Sequence, residues 1–388
     1  MRSSFSRSTR RRAATSPATT SEADTGRRRT FDPSAFAAAL ELFPRTRHLE
    51  LLGEGEPLLH PRLFELASSA RSRGLEISIF TNGSLLDDRN VERILDLGFL
   101  KVVVSVDTAD PSAFPTVRGG GELARVVEGL ARLARRRCER GLSQPPIGLS
   151  ATLLRRAVGH LPGIVALYRS LALDGGIGYQ PLNLMDCYAQ GYPETLRRQA
   201  ISLGQLDAHV RQLSCDPEVR EALRGTSPHR GFFDLLFEGV EAGSGRCPWL
   251  ERGAYVTARG HLSPCCMIEQ APAFGRLGES AASFGGQRER TRQALAEGSI
   301  PPLCRGCELA SLSSPPPGPG SQTRSSTKPT GSGATSGPRS RPLPERARRP
   351  RSSSLAARSR SPAPRSWPPS SRRREPRWTP CGAPGAGR

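Results

Sequence analysis

Four cysteines in the C-terminal half of the chain have the spacing of metal ligands. They are Cys247, Cys265, Cys304 and Cys307. Twelve residues separate the first from Gly260, four more separate that glycine from the second, and the last two form a C-x-x-C pair. Soft thiolates from a turn and a C-x-x-C corner suit an iron–sulfur cluster or a structural zinc, because both accept four thiolates. Cys266 is an alternative to Cys265 as a ligand. With either ligand, the sequence predicts a metal-cofactor protein.

Polar or glycine-rich turns follow three predicted strands in the N-terminal half. They are Gly53-Glu54-Gly55-Glu56-Pro57, Thr81-Asn82-Gly83 and Ser105-Val106-Asp107. Glycines let a ligand approach the backbone, and Glu56 can pair with an ammonium group, although an ordinary glycine turn is the alternative. Arg118 can hold a carboxylate in its guanidinium fork, or can be a solvated side chain before a flexible loop. Three such turns on successive strand ends favour a ligand site.

Strands and helices alternate along the first half of the chain. The pattern predicts strands over 48–52, 75–80, 101–107, 147–153 and 176–182, and helices over 35–43, 63–73, 87–97, 122–137 and 161–171. This alternation predicts an α/β fold in which helical crossovers join parallel strands. Ligand sites of such folds lie at the carboxyl ends of the strands, where the polar turns are predicted.

The net positive charge is confined to the two ends of the chain. The formal net charge is +20, and residues 1–30 carry eight Arg against two acidic residues, while residues 314–388 carry sixteen Lys and Arg against two. Residues 31–313 are therefore formally neutral, which disfavours nucleic acid as a partner of the core. The last 75 residues contain no Val, Ile, Phe, Tyr or Met, so a disordered tail or frame-shifted sequence is expected there.

No apolar run reaches the roughly 20 residues of a membrane span, and the Arg-rich start lacks the apolar segment of a secretory signal. Nine Cys in a chain of this length, four of them with ligand spacing, suit a reducing cytoplasm better than a disulfide scaffold. The expected organisation is a disordered or frame-shifted basic N-terminal segment over 1–30, a partial barrel over 31–183, a mostly helical connection over 184–246, a cysteine-bearing unit over 247–313 and a disordered basic tail over 314–388.

These residues resemble the radical S-adenosylmethionine (radical SAM) enzymes that carry a C-terminal SPASM domain, over about residues 31–310. The run from Leu52 to Pro61 resembles the second-strand motif, whose Gly-Glu portion binds the SAM amino group. Thr81-Asn82-Gly83 and Ser105-Val106-Asp107 match the ends of the third and fourth strands. The run Tyr179-Gln180-Pro181-Leu182 lies where the sixth strand helps to cover the adenosine.

The resemblance implies a partial (βα)6 barrel with a small C-terminal cysteine-rich iron–sulfur domain. With Arg118 added, the expected cofactor-binding residues are Gly53, Glu54, Gly55, Glu56, Pro57, Thr81, Asn82, Ser105, Asp107, Arg118 and Gln180. One auxiliary [4Fe–4S] cluster on the four cysteines is implied, because the longer SPASM pattern of seven cysteines does not continue beyond Cys307. A SAM-derived radical would abstract hydrogen from a small-molecule or peptide substrate, with an electron donor such as a flavodoxin or ferredoxin.

The defining C-x-x-x-C-x-x-C motif of the family is missing, because no Cys precedes Cys138, and the first barrel strand is not recognisable. In the family three thiolates bind three irons of the cluster and leave the fourth iron for SAM. Nothing else in this chain can replace those three thiolates. As written, the chain is expected not to cleave SAM. A shifted reading frame over residues 12–20 can encode Arg-Cys-Asn-Leu-Pro-Cys-His-His, so a catalytic [4Fe–4S] cluster is expected only if this segment is a sequence error.

Three functions stay open at this point. The first is a radical SAM enzyme. The second is a non-catalytic relative that keeps the fold and one iron–sulfur cluster or zinc, and serves as a binding or scaffold protein. The third is a zinc-stabilised protein with a nucleic-acid-binding tail, which the neutral core disfavours.

Overall fold

The computed structural model of the chain describes residues 2–5, 30–53, 55–222, 246–268, 271–279, 281–307 and 310. Six parallel strands pair in chain order, and two further strands extend the sheet beyond the first. The strands are β1 Arg2–Phe5, β2 His48–Leu51, β3 Glu76–Thr81, β4 Lys101–Ser105, β5 Ile147–Leu153, β6 Ile177–Pro181, β7 Gly253–Val256 and β8 Leu262–Ser263. Sequential pairing of parallel strands is the winding of a (βα) barrel, and the predicted α/β fold with a partial barrel is confirmed.

Helices connect the parallel strands, as the alternating pattern predicted. They are α1 Pro33–Leu42, α2 Leu63–Ser72, α3 Asp88–Asp96, α4 Phe114–Arg118, α5 Leu123–Glu139 and α6 Leu161–Ser170. Four shorter or more irregular helices follow the barrel, namely α7 Asp186–Ala189, α8 Glu194–Arg197, α9 Leu203–Leu213 and α10 Pro217–Ala222. The cysteine-bearing segment contributes α11 Pro248–Arg252 and α12 Ala281–Ala296.

Local sequence signals set the ends of the barrel helices. The Asp32 carboxylate accepts a hydrogen bond from the Ser34 backbone N–H at 2.8 Å, and Pro33 occupies the first turn of α1, where no N–H is needed. The Asp87 carboxylate caps α3 in the same way, by accepting from the Asn90 N–H at 2.8 Å. These caps are why the predicted starts of α1 and α3 agree closely with the structure.

The first strand corrects the expectation for the N-terminus. The sequence showed no strand before residue 31, yet β1 pairs with β2 on one side and with β7 on the other. Its sequence, Arg-Ser-Ser-Phe, has no run of apolar residues that would indicate a strand. The backbone pairing supplied by two distant segments determines this strand, so local pattern could not reveal it.

The two faces of the sheet differ in chemistry. Alternate residues of the strands, including Leu49, Ile77 and Val102, pack in one core with the apolar faces of the helices. Because side chains alternate along a strand, their neighbours lie on the opposite, inner face of the partial barrel. That face carries His48, Glu50, Ser78, Ser105, Ser150, Thr152 and Gln180. The inner face is therefore available for polar ligands.

Several predictions fall outside the described residues. They concern Glu54, residues 6–29, which include the shifted-frame segment, residues 223–245, and the tail from residue 311. The strands β7 and β8 of the cysteine-bearing segment continue the sheet of the barrel. Within the described part of the chain, no helix combines the length and apolar character needed to cross a membrane.

Candidate functional site

The carboxylate of Glu56 joins the end of β2 to the end of β3. Its Oε1 accepts hydrogen bonds from the Thr81 hydroxyl at 2.7 Å and from the Leu58 N–H at 3.0 Å, and its Oε2 accepts from the Asn82 N–H at 2.7 Å. Burial raises the pKa of the Glu56 carboxyl above its ordinary value, although these hydrogen bonds act to lower it. Both oxygens that could pair with an ammonium group are thus already engaged within the chain.

A glycine allows the turn after β3 to form. Gly83 has a φ of +77°, and a Cβ atom there would lie 2.7 Å from Cγ1 of Val104 and 2.9 Å from Cγ1 of Val126. The Thr81 hydroxyl accepts the Gly83 N–H at 3.1 Å, and the Asn82 side-chain oxygen accepts the Ser84 N–H at 2.9 Å. The predicted Thr-Asn-Gly turn is therefore a tight, packed loop at the carboxyl end of its strand.

Asp107 joins the end of β4 to β5 and to α4. Its Oδ2 lies 2.7 Å from Nη1 of Arg118, and its Oδ1 accepts the Thr152 N–H at 2.7 Å. The Asp107 side chain is 1% exposed and that of Arg118 is 13% exposed, so the ion pair is largely shielded from water. The Gln180 amide then donates to the Thr152 hydroxyl at 3.3 Å, which extends the contact to β6.

Arg118 connects the two carboxylates electrostatically. Besides its ion pair with Asp107, its positive charge acts to lower the pKa of Glu56. We call the seven residues at the carboxyl ends of β2–β6 the rim network. Its members are Glu56, Thr81, Asn82, Asp107, Arg118, Thr152 and Gln180. The carboxylate that Arg118 holds in this structure belongs to the chain itself.

The other predicted residues of this site lie around the network. Gly53 is exposed, Gly55 is half-buried, and Pro57 begins the short 3-10 helix that Glu56 caps. Ser105 is half-buried and lies in register with Ser150 of β5. The structure thus brings the described candidates to one edge of the sheet.

Sequence reasoning missed three polar residues at this sheet. Thr152 bridges Asp107 and Gln180, while His48 and Glu50 lie buried on the inner face of β2. A signal for all three exists in the sequence. Polar residues alternate with apolar ones in His48-Leu49-Glu50-Leu51 and in the strand that holds Thr152. Such alternation in strands that are buried on the other face marks a polar interior.

The four cysteines predicted as ligands come together in the C-terminal segment. Cys247 packs with Cys304 and Cys307 around Leu250, and with Cys265 around Trp249. Trp249 and Leu250 belong to α11, which begins directly after Cys247. The first cysteine is thus shared by both contact groups, and we call the four residues the thiol set.

Burial makes these thiols weak acids. It raises the pKa of Cys247 to about 11 and that of Cys304 to about 12, and raises the pKa of Cys265 well above its ordinary value. Mutual repulsion of thiolate charges within the set adds to this effect, with Cys307 acting on all three. A bound cation would offset both the desolvation of the thiolates and the repulsion between them, so the donor chemistry fits a soft metal centre.

The electrostatic surroundings of Cys265 and Cys266 differ. Besides burial, the charges that act on Cys265 are those of Cys266, Cys307 and Cys247, whereas those that act on Cys266 are Glu50 first and then Cys307. Both side chains pack against Trp249. Cys265 is thus coupled to two other members of the thiol set, and Cys266 to one. As these side chains stand, no three His, Cys, Asp or Glu residues of the described segments form a ready coordination sphere.

A glycine docks the C-x-x-C corner against the loop after β6. Gly306 has a φ of +74°, and a Cβ atom there would lie 2.3 Å from the Leu184 carbonyl oxygen. The Cys307 N–H donates to the Cys304 carbonyl at 3.0 Å, which closes the turn, and the Asp186 N–H donates to the Arg305 carbonyl at 3.4 Å. The C-x-x-C corner therefore lies against this loop, while Cys265 follows the end of β8 after one intervening residue, Pro264.

Comparison with known proteins relates the chain to radical SAM proteins. The family model of the Radical SAM superfamily matches residues 11–149. The PqqA peptide cyclase of Xanthomonas axonopodis pv. citri is 26% identical over 260 residues, which cover 65% of each chain. The tungsten-containing aldehyde ferredoxin oxidoreductase cofactor-modifying protein of Pyrococcus furiosus is 32% identical over 135 residues, or 34% of this chain and 38% of that protein. The chain thus spans less than two thirds of these curated relatives.

A solved structure extends the likeness to the fold. The crystal structure of Streptococcus suis SuiB bound to precursor peptide SuiA superposes with a TM-score of 0.55 at 14% identity, covering 74% of this chain and 66% of that one. The order of the parallel strands agrees with this likeness of fold. Over residues 11–149 the chain carries a domain of the Radical SAM superfamily.

Proposed function

We propose that this chain is a radical SAM protein of the SPASM type, built to act on a peptide substrate. The observation that carries the proposal is the rim network, which places carboxylates, a guanidinium and amides at the carboxyl ends of five successive parallel strands. Ligands of α/β barrels bind at this edge. The relatives support a peptide, since one is a PqqA peptide cyclase and SuiB was solved with a precursor peptide.

SAM is the proposed cofactor at this edge. The residues that would hold it are Gly53, Gly55, Ser105 and the rim network, with Glu54 beside them in the sequence. When bound to a reduced iron–sulfur cluster, SAM supplies radical chemistry in this family. The chain's own contribution is to bind, orient and shield the reacting groups. An electron donor such as a flavodoxin or ferredoxin and a cytoplasmic location complete the proposal.

The thiol set is the proposed site of one auxiliary [4Fe–4S] cluster, with Cys247, Cys265, Cys304 and Cys307 as its ligands. Four soft thiol donors in one segment, with Cys304 buried and the other three half-buried, are suited to it, and zinc is the competing occupant. Iron and acid-labile sulfide in anaerobically reconstituted protein would support the cluster. Stoichiometric zinc without sulfide would refute it.

The residues present do not fit the catalytic cluster of the family. No Cys precedes Cys138, although the family match begins at residue 11. We therefore derive no catalytic step through that cluster for the chain as written. A non-catalytic binding or scaffold protein is the second candidate, and the missing cysteines are the observation that favours it.

Two measurements on the full chain separate these candidates. The first is SAM affinity by calorimetry for the wild type and for Asp107→Asn, with Arg62→Ala as an exposed control. Binding that weakens only in the Asp107 variant supports the SAM site, and absent binding sinks it. The second is release of 5′-deoxyadenosine after dithionite reduction. The second candidate predicts none from this chain, while a chain with C-x-x-x-C-x-x-C restored over residues 12–20 should release it.

A further inference from the structure

Two buried ionisable side chains on β2 have no role in the rim network. Leu49 and Leu51 pack toward the helices, so His48 and Glu50 lie on the inner face of the barrel. They are only 4% and 5% exposed. Polar groups at such positions lose hydration, so a fold that keeps them there without using them would carry a cost.

The two side chains form a dyad with a defined direction. Nε2 of His48 lies 3.4 Å from Oε1 of Glu50, at the long end of hydrogen-bonding distance. A carboxylate beside Nε2 favours the tautomer with its proton on that nitrogen, which leaves a lone pair on Nδ1. Nδ1 of His48 is buried and has no hydrogen-bond partner within the described residues. Unpartnered buried acceptors are few in folded proteins, so this one indicates a missing partner.

Neighbouring strands place further residues beside the dyad. Arg2 of β1 lies in register with His48, Ser78 of β3 with Glu50, and Lys101 of β4 with Ser78. The charge of Glu50 also acts on the Cys266 thiol. Nδ1 is the ring nitrogen that does not face Glu50. An anionic ligand would be repelled here by Glu50, so a donor without negative charge is the group that this position suits.

We propose that His48, positioned by Glu50, accepts a hydrogen bond from an N–H or O–H group of the substrate that carries no negative charge, inside the barrel. Phenol, indole, alcohol and amide groups belong to this class, while carboxylates do not. That the bound molecule is a substrate rests on the function proposed above. The acceptor site itself rests only on the burial, the 3.4 Å contact and the unpartnered Nδ1.

Phenol and toluene are the test probes, because they match in size and differ in one hydroxyl. The full-length chain, labelled with ¹⁵N at its six His, is titrated with each, and the His48 resonance is assigned by its loss in His48→Phe. One hydrogen bond to a buried acceptor corresponds to about tenfold in affinity. We expect phenol to bind about tenfold more tightly than toluene and to shift Nδ1 of His48.

Two variants make the outcome decisive. His48→Phe removes the acceptor and should bring phenol and toluene to equal affinity, while His48→Gln, which retains a side-chain oxygen, should keep part of the preference. Equal or undetectable binding of both probes to the wild type, as expected if a buried water satisfies Nδ1, overturns the proposal. A preference that survives His48→Phe overturns it as well.

This experiment is independent of SAM chemistry. A phenol preference that depends on His48 supports the acceptor site even if no form of the chain cleaves SAM. Conversely, SAM cleavage by a chain with the motif restored, without any phenol preference, keeps the proposed function and removes the acceptor site. The two proposals therefore fail separately.

Discussion

The rim network and the thiol set differ in what stabilises the ionised form of their polar groups. In the rim network each carboxylate faces hydrogen-bond donors or a guanidinium of the same chain, as Glu56 and Asp107 show. In the thiol set the groups face one another and stay uncharged, because burial and the repulsion between thiolates raise their pKa values. The first arrangement is complete without a ligand. The thiols of the second can ionise favourably only when a cation is added, so the two regions should respond differently to metal and to mutation.

The largest expected difference concerns metal. In anaerobically reconstituted protein, Cys304→Ser should remove most of the about four irons that one [4Fe–4S] cluster carries. It should also loosen the cysteine-bearing segment by several kcal/mol, because binding free energy of a structural metal is folding free energy. Iron analysis and hydrogen exchange of residues 247–307 measure the two effects.

Two other cysteines serve as controls for that change. Cys215 is exposed and should be replaceable by Ser without loss of iron. Cys266→Ser should also retain iron, because that thiol is coupled first to Glu50 and to one member of the thiol set, whereas Cys265 is coupled to two. If Cys266→Ser loses as much iron as Cys304→Ser, the assignment of Cys265 as the ligand is wrong.

The next largest effect is expected in the rim network. Arg118→Ala leaves the carboxylate of Asp107 buried without its ion-pair partner and should lower the free energy of unfolding by about 4 kcal/mol. Arg62→Ala is the matched control, because Arg62 and Glu65 form an exposed pair on α2 whose loss should leave stability within experimental error. Urea unfolding monitored by circular dichroism compares them. Equal effects would mean that the Asp107 pair is not shielded from water.

Local sequence pattern was sufficient for most of the barrel. The caps at Asp32 and Asp87 and the period of the apolar residues determine α1, α3 and the strands β2–β6, because these signals act within a few residues. β1 was missed because its pairing partners lie at residues 48–51 and 253–256, far along the chain. The backbone pairing that distant segments provide for a strand cannot be read from the sequence of that strand.

The candidate site shows the same limit at the level of side chains. Glu56, Thr81, Asp107 and Arg118 were all identified from the turns that hold them. That they bind one another was not, because Glu56 and Thr81 are 25 residues apart and Asp107 and Thr152 are 45 apart. Residue type and spacing identify which groups can do chemistry, whereas their partners depend on tertiary packing.

A smaller effect is expected where the thiol set meets the barrel. Gly306→Ala combines a positive φ with a Cβ that would lie only 2.3 Å from the Leu184 carbonyl oxygen, so it should cost about 3 kcal/mol. Gly278→Ala is the matched control, since Gly278 has a φ of +90° but nothing within 4 Å of its added Cβ, and it should cost about 1 kcal/mol. Thermal unfolding of both variants tests the docking of the C-x-x-C corner. Similar losses would show that the corner is free to move away from Leu184.

The smallest effect is a dependence on pH that belongs to Glu56. Burial raises the pKa of Glu56 above its ordinary value of 4.5, so the folded state keeps this proton at pH values where the unfolded chain has released it. Relative to Glu56→Gln, which has no such proton, the wild type should therefore lose stability as pH rises from about 4.5 to the folded pKa, by at most about 1.4 kcal/mol per pH unit. Below that window the stability difference should be constant. The pKa of the exposed Glu65 is instead lowered by Arg62, so Glu65→Gln should give a profile of opposite slope. If the stability difference for Glu56 rises with pH, its hydrogen bonds outweigh its desolvation, and the rim network resembles an exposed ion pair more than a buried one.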